Sequence, residues 1–128
     1  MQIARLDHLV LTVRNLEVTV DFYARILGMT PETFGKGRMA LRIGQQKINL
    51  HESGKEFEPK ALRPTPGSAD LCFVVETPLT DVVEHVRTQG GEILLGPVER
   101  TGALGPMESV YLRDPDGNLV ELSRYRTS

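Results

Sequence analysis

Four residues far apart in the chain have the chemistry of a metal site: His8, His51, Asp70 and Glu121. Imidazole and carboxylate are ligands for divalent zinc, iron, manganese, nickel or cobalt, and two histidines with one carboxylate leave coordination positions open for a substrate. Around them stand groups suited to substrate oxygens. Arg42 and Arg113 carry positive charge, Ser109 and Tyr111 offer hydroxyl donors, and Asn49 offers an amide. Such a set fits a carboxylate, a phosphonate or an enediolate.

What could bring them together is strand alternation, since successive side chains of a strand point to opposite sides of its sheet. In "DHLVLTV" (7–13), Leu9, Leu11 and Val13 take one side, and His8, Val10 and Thr12 the other. In "KINLHE" (47–52), Ile48 and Leu50 oppose Asn49 and His51; in "ADLCFVV" (69–75), Leu71, Phe73 and Val75 oppose Asp70, Cys72 and Val74. In "ESVYLR" (108–113), Val110 and Leu112 oppose Ser109, Tyr111 and Arg113. In "NLVELS" (118–123), Val120 and Leu122 oppose Leu119, Glu121 and Ser123. The apolar side belongs under helices. The other side collects the candidate residues, and it reads either as a lined cavity or as a sheet face wetted by solvent. Two of the three histidines on that side favour the cavity.

Several of these residues have a plainer reading. His51 lies near a strand end and suits a surface loop as well as a ligand; Asp70 could cap a turn, and Arg113 could be a solvated strand end. His85 lies off the apolar stripe of its helix and is expected at the surface. Cys72 is expected to be a packed strand cysteine rather than a catalytic thiol. As the single cysteine it excludes an internal disulfide and a cysteine-rich zinc site.

The elements repeat. Each half reads as strand, helix and then three strands, and setting His8 over Asp70 sets Gly28 over Gly90, 20 residues further on in both. The first helix follows from Leu16, Val20, Tyr23 and Leu27 at helical spacing, with Asn15 as its cap and Gly28 as its stop. The second follows from Leu79, Val82, Val83 and Val86, with Pro78 in its first turn and Gly90 beyond its end. Strands are expected at 29–34, 38–43 and 47–52, and again at 92–98, 108–113 and 118–123. Residues 53–68, with three prolines and two glycines, read as the connection. The glycine-rich "RTGALGPME" (100–108) reads as a surface loop or a mobile lid. "DPDG" (114–117) supplies turn chemistry, and the turn sets the register that determines which side Glu121 faces.

Composition narrows the function classes. The chain of 128 residues is 40% hydrophobic, enough for one good core or two small modules sharing one. A net charge of −2 gives no basic field for nucleic acid or an anionic membrane. The start, "MQIARLDHLVLTV", resembles neither a leader nor a membrane span. The expectation is a cytoplasmic protein whose partners are a small-molecule substrate and a second copy of itself, with no nucleic acid and no membrane.

The strand "DHLVLTV" with the following "FYARILGM", the central "ADLCFVV" and the closing "YLRDPDGNLVEL" together resemble the vicinal oxygen chelate superfamily of glyoxalase I, extradiol dioxygenases, fosfomycin resistance enzymes and bleomycin-binding proteins. "QKINLHESGKEFEPKA" followed by "GSADLCF" resembles, more narrowly, the glyoxalase domain-containing protein five type. The resemblance implies an α+β fold in which two βαβββ modules (module one 1–55, linker 56–67, module two 68–128) form a half-open barrel around one divalent metal. It implies His8 as the first-strand ligand and Glu121 as the last-strand ligand, with Glu121 also shuttling a proton. Where relatives carry histidine this chain has Asp70, and where glyoxalase I carries glutamate it has Asn49, with His51 on the same face as a replacement. The expected activity is metal-dependent lyase, isomerase or dioxygenase chemistry on a small oxygen-bearing substrate. A metal-free module that sequesters a small molecule, as bleomycin-binding relatives do, is the alternative. A homodimer is expected from the same resemblance.

Overall fold

The computed structural model describes residues 1–126. The chain divides into two compact units, Met1–Pro66 and a second from Gly67 onward. The first contains β1 (His8–Val13), α1 (Leu16–Asp21), β2 (Thr30–Phe34), β3 (Arg38–Ile43) and β4 (Gln46–Glu52). The second contains β5 (Asp70–Val74), α2 (Leu79–Thr88), β6 (Leu95–Gly102), β7 (Gly105–Arg113) and β8 (Leu119–Tyr125). Each unit is a βαβββ module with one four-stranded mixed sheet, ordered β1-β4-β3-β2 in the first and β5-β8-β7-β6 in the second. The repeat seen in the sequence is therefore a repeat of topology: in both, the first strand runs parallel to the last.

Strand alternation sorts side chains as the sequence implied. Leu11, Val13, Ile48, Leu50 and Leu41 are buried on one side of the first sheet, and Val110, Leu112, Val120 and Leu122 on one side of the second. α1 lies against β4 and α2 against β7. Val82 and Val86 are buried along α2, as their spacing implied. Asn15 caps α1, its Oδ1 accepting from the Val18 N–H at 3.0 Å. Gly28 and Gly90 follow the two helices with φ of +74° and +84°.

The first helix departs from its expected course. After Asp21 it widens into a π-helical stretch, Phe22–Ile26, so a uniform period of 3.6 cannot describe it. The buried side chains become Thr19, Phe22, Tyr23 and Ile26, while Leu16, Val20 and Leu27 are only partly covered. Two expectations in the second unit are also corrected. The strand anticipated at 92–98 starts only at Leu95 and runs on to Gly102. The segment 100–108 is neither loop nor lid but a tight hairpin in which Gly102 pairs with Gly105 and Arg100 with Met107. Glycines masked the strand pattern there, whereas the ladder to β7 supplies the missing order.

The turn before β8 is pinned by one side chain. Asp114 Oδ1 accepts from the N–H groups of Asp116 and Asn118, each at 2.9 Å, and its Oδ2 accepts from Asn118 Nδ2 at 2.7 Å. Asn118 in turn accepts the Ala69 N–H at 2.8 Å, which ties the start of β5 to the start of β8. This needs a bare backbone at Gly67, where a Cβ would stand 2.6 Å from the Asp116 carbonyl oxygen. Replacing Asp114 by alanine strands two N–H groups and a buried amide. We expect Asp114→Ala to lower the unfolding free energy by about 2–4 kcal/mol in urea titrations, at unchanged m-value.

Candidate functional site

In the first unit the second side of the sheet carries His8, Val10 and Thr12 of β1, opposite Lys47, Asn49 and His51 of β4, respectively. His8 is exposed, and its Nδ1 lies 2.8 Å from Asp7 Oδ2. This contact orients the ring, holds the Asp7 carboxyl below its ordinary range, and leaves Nε2 facing outward from the pair. His51 is 5% exposed, with its ring edge-on to Phe57 at 5.6 Å. Burial, with help from the Arg38 guanidinium, pushes its proton affinity down and favours the neutral imidazole that ligates metals. It is thus no surface-loop residue. Asn49 is buried at 9% exposure, and its Oδ1 has no hydrogen-bond partner among the described residues.

His51 also lines a cavity of about 380 Å³ with Val10 and Thr12, closed by Pro59, Lys60, Ala61 and Pro64 of the loop after β4. Alternation identified the strand residues of that cavity; the loop residues carry no sequence signal of their own. Arg42 shares the second side but is already engaged. Its Nε and Nη2 donate to the two carboxylate oxygens of Glu32 at 2.9 and 2.8 Å, a fork that neutralises the charge expected to meet a substrate.

In the second unit β8 runs between β5 and β7, so Glu121 sits beside Cys72 on one flank and Tyr111 on the other. Ser109 Oγ donates to Glu121 Oε2 at 2.6 Å, and Ser123 Oγ lies 3.2 Å from the same oxygen. Oε1 accepts no hydrogen bond among the described residues. Tyr111 Oη is taken by Arg100, whose Nε donates to it at 2.8 Å. Arg113 is exposed and donates to the Gly117 carbonyl oxygen at 3.4 Å. Asp70 is exposed at the start of β5.

Cys72 corrects an expectation: the residue is exposed rather than packed, with its Sγ 3.2 Å from Ser123 Oγ. Partial burial of the thiol, together with the charges of Glu121 and Asp70, pushes its pKa up and keeps it protonated, contrary to what a nucleophile needs. Ser123 and Arg100 were not singled out in the sequence. Ser123 is recoverable from the two-residue period that starts at Glu121; Arg100 is not, because its strand was hidden. Among the described residues, no three His, Cys, Asp or Glu side chains are gathered closely enough to hold a metal ion by themselves.

The lowered proton affinity of His51 has a definite sign for stability. The unfolded chain takes up a proton near pH 6.5, while the folded chain resists it until lower pH, so stability falls as pH drops below about 6.5. The paired carboxylates Asp7, Asp21 and Glu32 act at lower pH, because their stabilisation is lost only as they protonate. In metal-free protein, thermal melts should show a decline in Tm between pH 7 and pH 5 that is shallower in His51→Gln than in the parent chain.

Comparison with known proteins agrees with this architecture. The chain is 58% identical over 125 residues to a virulence protein of Salmonella typhimurium, covering 98% of this chain and 87% of that one. The crystal structure of that protein superposes with a TM-score of 0.97, covering 98% of this chain and 100% of the other at 57% identity. A glyoxalase domain-containing protein of Mycosarcoma maydis is 55% identical over 126 residues, 98% of this chain and 71% of that one. A metallothiol transferase of Shouchella clausii is 25% identical over 118 residues, 91% of this chain and 77% of that one. Residues 5–122, all but the ends of the sequence, match a single family, and the chain belongs to the Glyoxalase/Bleomycin resistance protein/Dioxygenase superfamily.

Proposed function

We propose that this protein is a metal-dependent enzyme that acts on a small substrate with two neighbouring oxygens, through a divalent zinc, nickel, iron, manganese or cobalt ion. The ligands proposed for it are His8 and Glu121 first, with His51 and Asp70 as further donors, a set that the described residues of one chain do not gather. The observation that carries this reading is common to both principal residues. One atom of each is tied to a neighbour, Nδ1 of His8 to Asp7 and Oε2 of Glu121 to Ser109, and the other atom is left for a ligand. Metal-ligating imidazoles and carboxylates are held by a second contact in this way. The neutral state favoured at His51 fits the same donor set.

When bound, the metal supplies Lewis-acid stabilisation of negative charge on substrate oxygens. The chain's own groups do the rest. Asn49 offers the Nδ2 donor of its amide to a substrate oxygen, its Oδ1 being buried. When not engaged as a ligand, Glu121 Oε1 takes and returns a proton on the substrate carbon or oxygen beside it, which is the role of general acid and base. Isomerisation, elimination, oxygen insertion and thiol transfer share this sketch. The metallothiol transferase among the relatives, at 25% identity, supports metal chemistry as a class.

The reading includes a homodimer in the cytoplasm. Each sheet ends in two edge strands, β1 and β2 in one and β5 and β6 in the other, and unprotected edges favour pairing. No helix is long and apolar enough to cross a membrane among the described residues.

Elemental analysis of protein purified without chelator should find bound divalent metal in the parent chain and none in the His8→Ala/Glu121→Ala variant. A thermal-shift panel of divalent metals crossed with small oxyanions should raise Tm by about 2–8 °C for the matching pair. Absence of metal, with small-molecule binding undiminished in the double variant, would replace the enzyme by a sequestering protein. A second variant separates binding from folding. Asn49→Leu removes a buried oxygen that has no partner among the described residues, so metal-free stability should hold level or rise by about 1 kcal/mol, while loss of the Nδ2 donor lowers stabilisation by the matching oxyanion.

A further inference from the structure

Ser109 and Ser123 are 0% exposed and stand opposite one another in the β7–β8 register. Ser109 Oγ is 2.6 Å from Glu121 Oε2 and 2.6 Å from Ser123 Oγ; Ser123 Oγ is 3.2 Å from Oε2 and 3.2 Å from Cys72 Sγ. Each hydroxyl has one proton to give, and an ionised carboxylate can only accept. The Ser109 proton therefore goes to Oε2, and the Ser123 proton goes to Ser109 Oγ or is shared with Oε2. The Cys72 S–H is then the donor to Ser123. All donors run one way along the chain, from β5 across β8 to β7, and end on a single carboxylate oxygen. Reversing the Ser109–Ser123 bond takes the 2.6 Å bond away from Oε2 and leaves that oxygen only the 3.2 Å contact with Ser123.

We propose that Ser109 and Ser123 are positioning residues that clamp Oε2 of Glu121, so that Oε1 is the one carboxylate atom offered to a ligand. This rests on the reading of Glu121 as a ligand given above, and it reassigns Ser109. A fully buried hydroxyl committed to Glu121 has no face left for substrate, so its work is done through the carboxylate. Without the clamp, the side-chain torsions of Glu121 are restrained only by their staggered wells, and the carboxylate is free to turn both oxygens or neither toward a ligand.

Two readouts on the Ser109→Ala/Ser123→Ala variant and both single variants test the clamp. In crystals of the metal-free protein, Glu121 should keep one rotamer in the parent chain and spread over more than one in the double variant. In calorimetric titration with Zn²⁺ alone, at a temperature where all variants are folded, the double variant should bind about 10–100-fold more weakly. With Co²⁺ its visible spectrum should change, which a serine that merely supports the fold would not cause. Should the double variant fail to fold, Ser123→Ala, which keeps the 2.6 Å bond from Ser109, is expected to give the same effects in smaller measure. A Glu121 fixed in the parental rotamer, or Zn²⁺ affinity and Co²⁺ spectrum unchanged in the variants, overturns the clamp. A parent chain that binds neither ion while its Glu121 rotamer still depends on the serines overturns the metal reading and upholds the clamp.

Discussion

The register of β8 is the constraint on which the second unit depends. Side chains alternate across a sheet, so a slip of one residue against β7 would carry Glu121 to the helix side and bring Val120 and Leu122 to the polar side. What prevents it is the Asp114 turn at one end and the Ala69–Asn118 link that ties β5 to the same turn. The buried serines add a second lock, because Ser109 and Ser123 find each other only in this pairing.

The first unit manages charge differently. Its cations are mostly spoken for: Arg42 by Glu32, Lys47 by the face of Phe34 at 3.6 Å, and Arg38 by the face of Phe57 at 4.5 Å. A desolvated cation over an aromatic ring gains about 0.5–2 kcal/mol and keeps its charge, so it still acts on its surroundings. Arg38 does so at His51, where it works with burial to keep the imidazole neutral. The ring of Phe57, which touches both Arg38 and His51, comes from the loop after β4, so that loop is part of the site's electrostatics as well as its wall.

Family membership narrows the chemistry without choosing the reaction. The superfamily's name spans lyases, oxygenases and binding proteins, and the relatives of highest similarity described above are named for virulence or for the domain itself. The residues in which this chain departs from the implied pattern, Asn49 and Asp70, are therefore the informative ones. By the resemblance, the first puts a neutral amide where glyoxalase I has a carboxylate, and the second puts an oxygen donor where relatives have nitrogen. The buried oxygen of Asn49 marks a place where the described residues leave a polar demand unmet.

By itself the sequence determined the two βαβββ modules, the apolar and polar sides of nearly every strand, the cap of the first helix and the glycine stops of both, and the direction in which Glu121 faces. These are local or periodic properties, written in spacings of two and of three to four residues. Only the tertiary structure decided the π-helical turn after Asp21, the hairpin at 100–108, the pairing of Arg42 with Glu32 and the burial of His51 beneath its loop. Each of these depends on a partner distant in sequence or on packing that overrides the helical period, and no pattern within a single segment records it. The serines show the boundary most clearly. Alternation put Ser109, Ser123 and Glu121 on one side, but only the β7–β8 ladder brought three short side chains within reach of a common proton chain.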